Sequence, residues 1–199
     1  MMSNYFDIYT VGVGGQGILT ISDIITQAAV QKGLDVNYYP SKGMAQRGGF
    51  VRSQVRLGRK QGTFSPSISP AGSDLVVSME LSETLKAIRF AKKDADFVIL
   101  GLRWLPADVM MGDAPYPETE AVLEEIRKAG GKPHYFDPAK VPAGMRPNLY
   151  ALGAVCANSR LLEFLSKEFI EEFIANKWKK VAEANLATFR AGFDAAPQD

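Results

Sequence analysis

Cysteine and histidine are almost missing from this chain: its 199 residues contain one of each. The lone thiol, Cys156, cannot close an internal disulfide. Nor can it supply the thiolate set of an iron–sulfur cluster or a four-thiolate zinc site. It lies in the apolar stretch Ala151-Leu152-Gly153-Ala154-Val155-Cys156-Ala157, which reads as a buried small hydrophobe rather than a nucleophile. His134, in the strand-like run Lys132-Pro133-His134-Tyr135-Phe136, reads as a structural or rim residue. A Ser/His/Asp or Cys/His centre contained in this chain is therefore not expected, and no residue is assigned a catalytic or metal-ligating role. Charge bias is lacking as well. A formal net charge of +1 offers no electrostatic footprint for nucleic acid or for an anionic membrane surface. No apolar run is long enough to span a bilayer. The start, Met1-Met2-Ser3-Asn4-Tyr5-Phe6-Asp7, has neither the basic nor the apolar region of a signal peptide, so a cytoplasmic location is expected. Internal repeats and low-complexity segments are absent too.

What the chain holds is an alternation of strand and helix signals. Its hydrophobic fraction of 46% and charged fraction of 23% are ordinary for a globular protein. The length suits one domain over residues 1–192, with a frayed tail at 193–199. Strands are expected at 6–13, 36–39, 50–57, 75–79, 95–100 and 132–136. Ile18, Ile21, Ile25 and Ala28 recur at helical spacing over 18–32, and Gly33 closes that helix. In 50–57, Val51, Ser53, Val55 and Leu57 alternate with Arg52, Gln54 and Arg56, which suggests a strand with one polar face at the sheet edge or over a cleft. Ser82 resembles the N-cap of a helix reaching about residue 92. Residues 102–117 hold three prolines and no periodicity, the pattern of a long loop. It carries Trp104 and Met110-Met111, which would favour an interface if exposed and mean nothing special if buried. A helix opens at Pro117-Glu118-Thr119-Glu120 and stops at Gly130-Gly131. From Asn148 onward the chain is helical, with Leu162, Leu165, Phe169 and Phe173 on one stripe and a last helix at 177–190, ahead of Gly192. The sum is an α/β, Rossmann-like fold: a largely parallel sheet flanked by helices and a helical C-terminal part.

Two glycine clusters carry the chemistry. Gly12-Val13-Gly14-Gly15-Gln16-Gly17 lies between the first strand and the first helix. Glycine costs backbone entropy and packs nothing, so such a cluster needs a geometric reason. A sharp turn that leaves amides bare at a helix N-terminus attracts an anion, most often a phosphate. Gly12, Gly14 and Gly17 match the dinucleotide-binding glycine pattern. That pattern also expects an acidic residue about 20 residues on, at the end of strand two. Here the segment reads Asn37-Tyr38-Tyr39-Pro40-Ser41-Lys42. The second cluster, Gly43-Met44-Ala45-Gln46-Arg47-Gly48-Gly49, follows strand two. With Lys42 and Arg52 beside it, it reads as a basic loop at the same sheet end, where α/β proteins place their ligands. The alternatives are that the glycines only permit close helix–sheet packing, and that the basic loop is merely solvated or docks a partner subunit.

Taken together, Gly12 to Thr20, Gly43 to Gly49, the strand ending Val55-Arg56-Leu57-Gly58, Ser65-Pro66 and Glu80 resemble the gamma-type domain of 2-oxoacid:ferredoxin oxidoreductases. The spelling Gly-Met-Ala-Gln-Arg-Gly-Gly is most similar to the beta subunit of indolepyruvate ferredoxin oxidoreductases. Asn148-Leu149-Tyr150-Ala151-Leu152-Gly153 and the segment from Glu183 to Gly192 also resemble the family. The resemblance implies a non-autonomous subunit of an enzyme that oxidatively decarboxylates a 2-oxoacid to an acyl-CoA and passes electrons to ferredoxin. It implies partner subunits that carry thiamine diphosphate and the iron–sulfur clusters, and a role here in assembly and in access of coenzyme A. On that reading Gly12, Gly14, Gly15, Gln16 and Gly17 offer main chain to the coenzyme A phosphates or to a facing subunit. Lys42, Gln46, Arg47, Gly48 and Gly49 offer the basic loop. Two other classes remain: an NAD(P)-binding Rossmann dehydrogenase, with Lys42 and Arg47 on a 2′-phosphate, and a non-catalytic nucleotide-binding interaction module.

Overall fold

The computed structural model describes residues 4–42, 48–60, 62 and 65–198. Gln46 and Arg47 lie outside the described residues, as does the side chain of Lys42.

The first strand, β1 (Phe6–Val13), is buried along its whole length, because helices cover both faces of the sheet it centres. Its even residues Phe6 and Ile8 enter one hydrophobic cluster, and Tyr9 and Val11 enter the other. α1 (Ile18–Gln31) places Ile18, Ile21, Ile24, Ile25, Ala28 and Ala29 in the first cluster. Its end is closed by Leu34 N–H to Ala29 C=O at 3.0 Å and Gly33 N–H to Val30 C=O at 2.9 Å, which satisfies carbonyls the helix leaves orphaned. β2 (Val36–Lys42) and β3 (Phe50–Leu57) follow as an antiparallel pair.

β3 then inserts between β2 and β1, and the six-stranded sheet runs β2, β3, β1, followed by β4 (Ser73–Glu80), β5 (Ala91–Leu102) and β6 (Lys132–Phe136). β1, β4, β5 and β6 pair in parallel, and β3 runs against its neighbours on both sides. The sheet is therefore mixed, with one strand reversed. β3 is an interior strand and β2 forms the edge, so the edge placement considered for 50–57 is corrected. Its alternation holds: Val51, Ser53, Val55 and Leu57 are buried towards α1. The polar face is used internally as well. Gln54 Oε1 accepts the Ile68 amide. Arg56 and Arg59 close on the fully buried Asp7 carboxylate at 3.0 and 2.7 Å, so the buried charge is paired.

α2 (Leu81–Ala87) and a 3-10 turn at Ile88–Phe90 lead straight into β5. The helix expected to reach residue 92 stops sooner, and β5 begins four residues before the expected strand at 95. The polar run Lys92-Lys93-Asp94 masked that start; Lys92 is in fact held by Asp74 at 2.6 Å. The N-cap is Glu80, whose side chain accepts the Glu83 amide, rather than Ser82. Within the loop expected at 102–117 the chain forms one short helix, α3 (Ala107–Met111). α4 (Thr119–Lys128) buries Val122, Leu123 and Ile126 on the α2 side of the sheet.

The opposite face is closed by α5 (Pro147–Ala157), α6 (Leu161–Phe164), α7 (Lys167–Lys177) and α8 (Ala182–Phe193). The expected stripe is split across two of these: Leu162 belongs to α6, while Phe169 and Phe173 belong to α7, which Ser166 caps. The single helix expected at 177–190 does not form, because α7 ends at Lys177 with Trp178 as its C-cap and α8 starts at Ala182. Gly192, read as a helix stop, lies inside α8. A Cβ on it would sit 1.9 Å from Tyr150 C=O, and one on Gly153 would sit 2.0 Å from Phe189 C=O. Two bare helix faces are thus pressed backbone to backbone. The tail expected to fray carries a main-chain contact instead, Gln198 N–H to Tyr135 C=O at 2.7 Å. Among the described residues no helix is long and apolar enough to cross a membrane.

Cys156 is buried in α5, and burial pushes its thiol well above the usual range. It should stay unreactive to an aromatic disulfide reagent at pH 8 in the folded protein and react at once in denaturant. Replacing Gly153 or Gly192 by Ala forces α5 and α8 apart and should cost about 3 kcal/mol. Urea unfolding of each variant measures that loss.

Candidate functional site

The candidate site is built where β1 ends. Past Val13 the chain turns through Gly15 (φ 103°) and Gly17 (φ 78°), left-handed positions that strain any residue with a Cβ. α1 starts directly afterwards. Because β3 is antiparallel to β1 with Phe50 opposite Val13, the residues before Phe50 are carried up beside those after Val13. Gly14 N–H donates to Gly49 C=O at 2.8 Å, and Gly48 N–H donates to Gly14 C=O at 3.4 Å. The two glycine bends are therefore one structure, joined by main chain.

This pairing narrows what the first bend can offer. The amide of Gly14 is occupied by Gly49, and that of Gln16 donates to Val13 C=O at 3.2 Å. The Gln16 side chain turns inward, where its Oε1 accepts the Val13 amide at 2.9 Å. Gly12 makes room for that side chain: a Cβ there would lie 2.9 Å from Gln16 Oε1 and 3.3 Å from Met79 Cβ. The amides of Gly15 and Gly17 donate to nothing among the described residues. Gly15 faces open space, with no atom within 4 Å of a Cβ placed on it. Lys42 closes β2 in the cross-sheet row Lys42–Val51–Gly12, two strand spacings, or about 10 Å, from the first bend.

Sequence reasoning left three supports of this rim out of the site. Asn148, at the start of α5, places its amide 2.4 Å from where a Gly17 Cβ would be and brings a second helix N-terminus to the bend. Trp104 packs its indole 3.1 Å from the Cβ position of Gly48. Glu80, fully buried at the end of β4, holds the Trp104 side of that arrangement. It accepts the Glu83 amide and the Ser82 hydroxyl at 2.7 Å, the Trp104 amide at 3.2 Å, and the Tyr116 hydroxyl. Burial, together with Glu80, pushes the Tyr116 phenol above the ordinary tyrosine range. A signal for Glu80 was present: a carboxylate that ends a strand buried almost throughout must find buried donors.

Beside the bends stands an apolar ridge. Trp104 is 48% exposed, Leu105 46%, and Met110 and Met111 68% each. Four large apolar side chains on one segment mark a contact surface. His134 is remote from the bends in sequence and structure and meets Asp96 at 3.1 Å across β5 and β6. Among the described residues there is no group of three or more His, Cys, Asp or Glu placed to hold a metal ion.

A sheet covered on both faces by helices, with a rim of bare main chain and an apolar ridge beside it, makes this an α/β domain. The chain belongs to the pyruvate ferredoxin/flavodoxin oxidoreductase family, whose match spans residues 7–195. It is similar to the indolepyruvate oxidoreductase subunit IorB of Archaeoglobus fulgidus, with 32% identity over 200 residues that cover 96% of this chain and 94% of that protein. Its fold is shared with the pyruvate oxidoreductase subunit PORC of Thermotoga maritima, at a TM-score of 0.69 and 22% identity over 96% of this chain and 97% of the other. It is also shared with part of the 2-oxoglutarate:ferredoxin oxidoreductase of Magnetococcus marinus, solved with 2-oxoglutarate, coenzyme A and succinyl-CoA bound. There the TM-score is 0.67 and the identity 20%, over 98% of this chain and 34% of that one.

Replacing Glu80 by Ala strands four donors and should cost about 3 kcal/mol. With Trp178 changed to Phe, so that Trp104 alone reports, the emission maximum should shift to the red as the indole leaves Gly48.

Proposed function

We propose that this chain is a non-autonomous subunit of a 2-oxoacid:ferredoxin oxidoreductase that converts a 2-oxoacid to an acyl-CoA. On this reading thiamine diphosphate and iron–sulfur clusters reside in partner subunits, and electrons leave to ferredoxin. Residues 1–192 act as one domain that completes the assembly and borders the path of coenzyme A. The observation that supports it best is the union of the two glycine bends into one bare rim beside exposed Trp104, Leu105, Met110 and Met111. Apolar side chains at such exposure suit burial by another subunit. Family membership supplies the chemistry of that assembly.

The ligand assignment within this reading follows from which amides are open. Gly15 and Gly17 would meet a phosphate, with the α1 and α5 N-termini adding their favourable potential. Gly14, Gln16, Gly48 and Gly49 hold the bends together, and Gly12 accommodates Gln16. Lys42, Gln46 and Arg47 would contribute charge and polarity from the neighbouring loop. A self-contained NAD(P) dehydrogenase is disfavoured by the position of β3. It displaces β2 from β1, so the end of strand two is not adjacent to the glycine turn as dinucleotide binding requires.

Two measurements test the reading. The native assembly, purified through this chain, should contain further polypeptides and bound thiamine diphosphate, and should turn over oxoacid with coenzyme A and an electron acceptor. The purified chain by itself should not; turnover by the chain alone refutes the proposal. In the assembly, Gly15→Val should raise the KM for coenzyme A or weaken subunit association by about tenfold, as expected for loss of a charge-assisted contact near 1.4 kcal/mol. An assembled Gly15→Val enzyme with parental kinetics would remove the bend from the site.

A further inference from the structure

Sulfur is unevenly placed in this chain. Among the described residues it is carried by Met79, Met110, Met111, Met145 and Cys156. Met79 and Cys156 are buried in the core, and Met145 is half-buried just before α5. Of these five, Met110 and Met111 stand open to solvent. They are neighbours in α3, on the same segment as exposed Trp104 and Leu105. The accessible thioethers are thus gathered into the apolar ridge.

The segment holds them outward. Trp104 N–H, donated to Glu80 at 3.2 Å, fixes its start. Met110 N–H donates to Pro106 C=O at 3.0 Å, and Gly112 N–H to Val109 C=O at 3.1 Å. Asp113 N–H returns to Asp108 C=O at 2.8 Å, which closes the turn. α3 buries none of its residues, so neither thioether has a core to withdraw into. Methionine is an adaptable apolar residue that suits a contact surface. One added oxygen makes it polar and chiral.

We propose that Met110 and Met111 form a reversible oxidation site that sets whether the free chain can bury its ridge. This inference rests on the reading of the ridge as a subunit contact. The oxidant is hydrogen peroxide. The thioether sulfur attacks one peroxide oxygen, the O–O bond breaks and an S=O bond forms. The second oxygen leaves as water with both protons, and the two electrons lost by sulfur reduce the peroxide. A sulfoxide oxygen covered by an apolar partner surface loses its water without gaining a donor. The oxidised free chain is therefore held out of the assembly, whereas the assembled chain has its thioethers covered. Methionine sulfoxide reductases remove the oxygen as water while a dithiol is oxidised to a disulfide, and this restores the ridge.

Peroxide treatment of the free full chain, stopped with catalase and followed by peptide mass spectrometry, tests the site. Met110 and Met111 should each gain one oxygen about tenfold faster than Met79, as their exposure dictates, and more slowly in the native assembly. The oxidised chain should associate with separately purified partner subunits about tenfold more weakly. Treatment with both reductases, one for each sulfoxide epimer, and dithiothreitol should restore association. In the double variant Met110→Leu, Met111→Leu, peroxide should leave association at the level of that variant's untreated form. Oxidation no faster than at Met79, equal rates in the free chain and the assembly, or a peroxide effect that persists in the double variant overturns the inference. Leu105→Asp separates it from the reading beneath it. If Leu105→Asp associates like the parent, the ridge is not the contact and both fall. If Leu105→Asp blocks association while the doubly oxidised chain associates normally, the contact stands and the oxidation site alone is overturned.

Discussion

The rim rests on one constraint: β3 lies antiparallel against β1 with Phe50 opposite Val13. The main-chain bonds between Gly14 and Gly49, and between Gly48 and Gly14, extend that ladder beyond the strands themselves. Had β2 paired directly with β1, Gly48 and Gly49 would lie a full strand farther off. The inserted, reversed strand brings two side-chain-poor bends into contact and then holds them there. Glycine at these positions is thus required twice, by left-handed turns and by main-chain approach.

The surroundings of the rim are rigid for separate reasons. On one side Glu80 gathers donors from α2, from Trp104 and from Tyr116, which ties the ends of β4 and β5 to the segment that bears the apolar ridge. On the other, α5 and α8 meet through Gly153 and Gly192, and that close crossing sets where α5 begins and therefore where Asn148 reaches Gly17. Several buried polar groups in the interior are paired in the same manner: Asp7 takes Arg56 and Arg59, and Thr10, Ser22 and Ser53 share hydroxyls. The apolar ridge, by contrast, lies at the surface, where a partner can meet it.

Membership of the pyruvate ferredoxin/flavodoxin oxidoreductase family accords with this division. The chain carries a single cysteine and a single histidine. Its structure instead holds surfaces: bare amides of Gly15 and Gly17 where α1 begins, exposed thioethers and an indole. Such features suit one subunit of a larger oxidoreductase assembly.

Much of the architecture was legible in the residues. Strand and helix periodicity located β1, β3, β6 and α1 closely, and the glycine clusters marked the turns because glycine adopts left-handed φ without strain. The elements that were misread are those where local and tertiary demands part. Lys92-Lys93-Asp94 looks unlike a strand until Asp74 neutralises Lys92, and Gly192 looks like a helix stop until α5 presses against it. Strand order, too, was hidden, since hydrophobic alternation in 50–57 is the same at an edge and in the interior. By itself the sequence determined where the chain must bend and which faces must be buried, since steric limits on φ and the cost of exposing apolar area are local. Only the tertiary structure decided that the two bends join, that Gln16 turns inward and that Glu80 anchors Trp104, because those contacts unite residues far apart in the chain through register and packing.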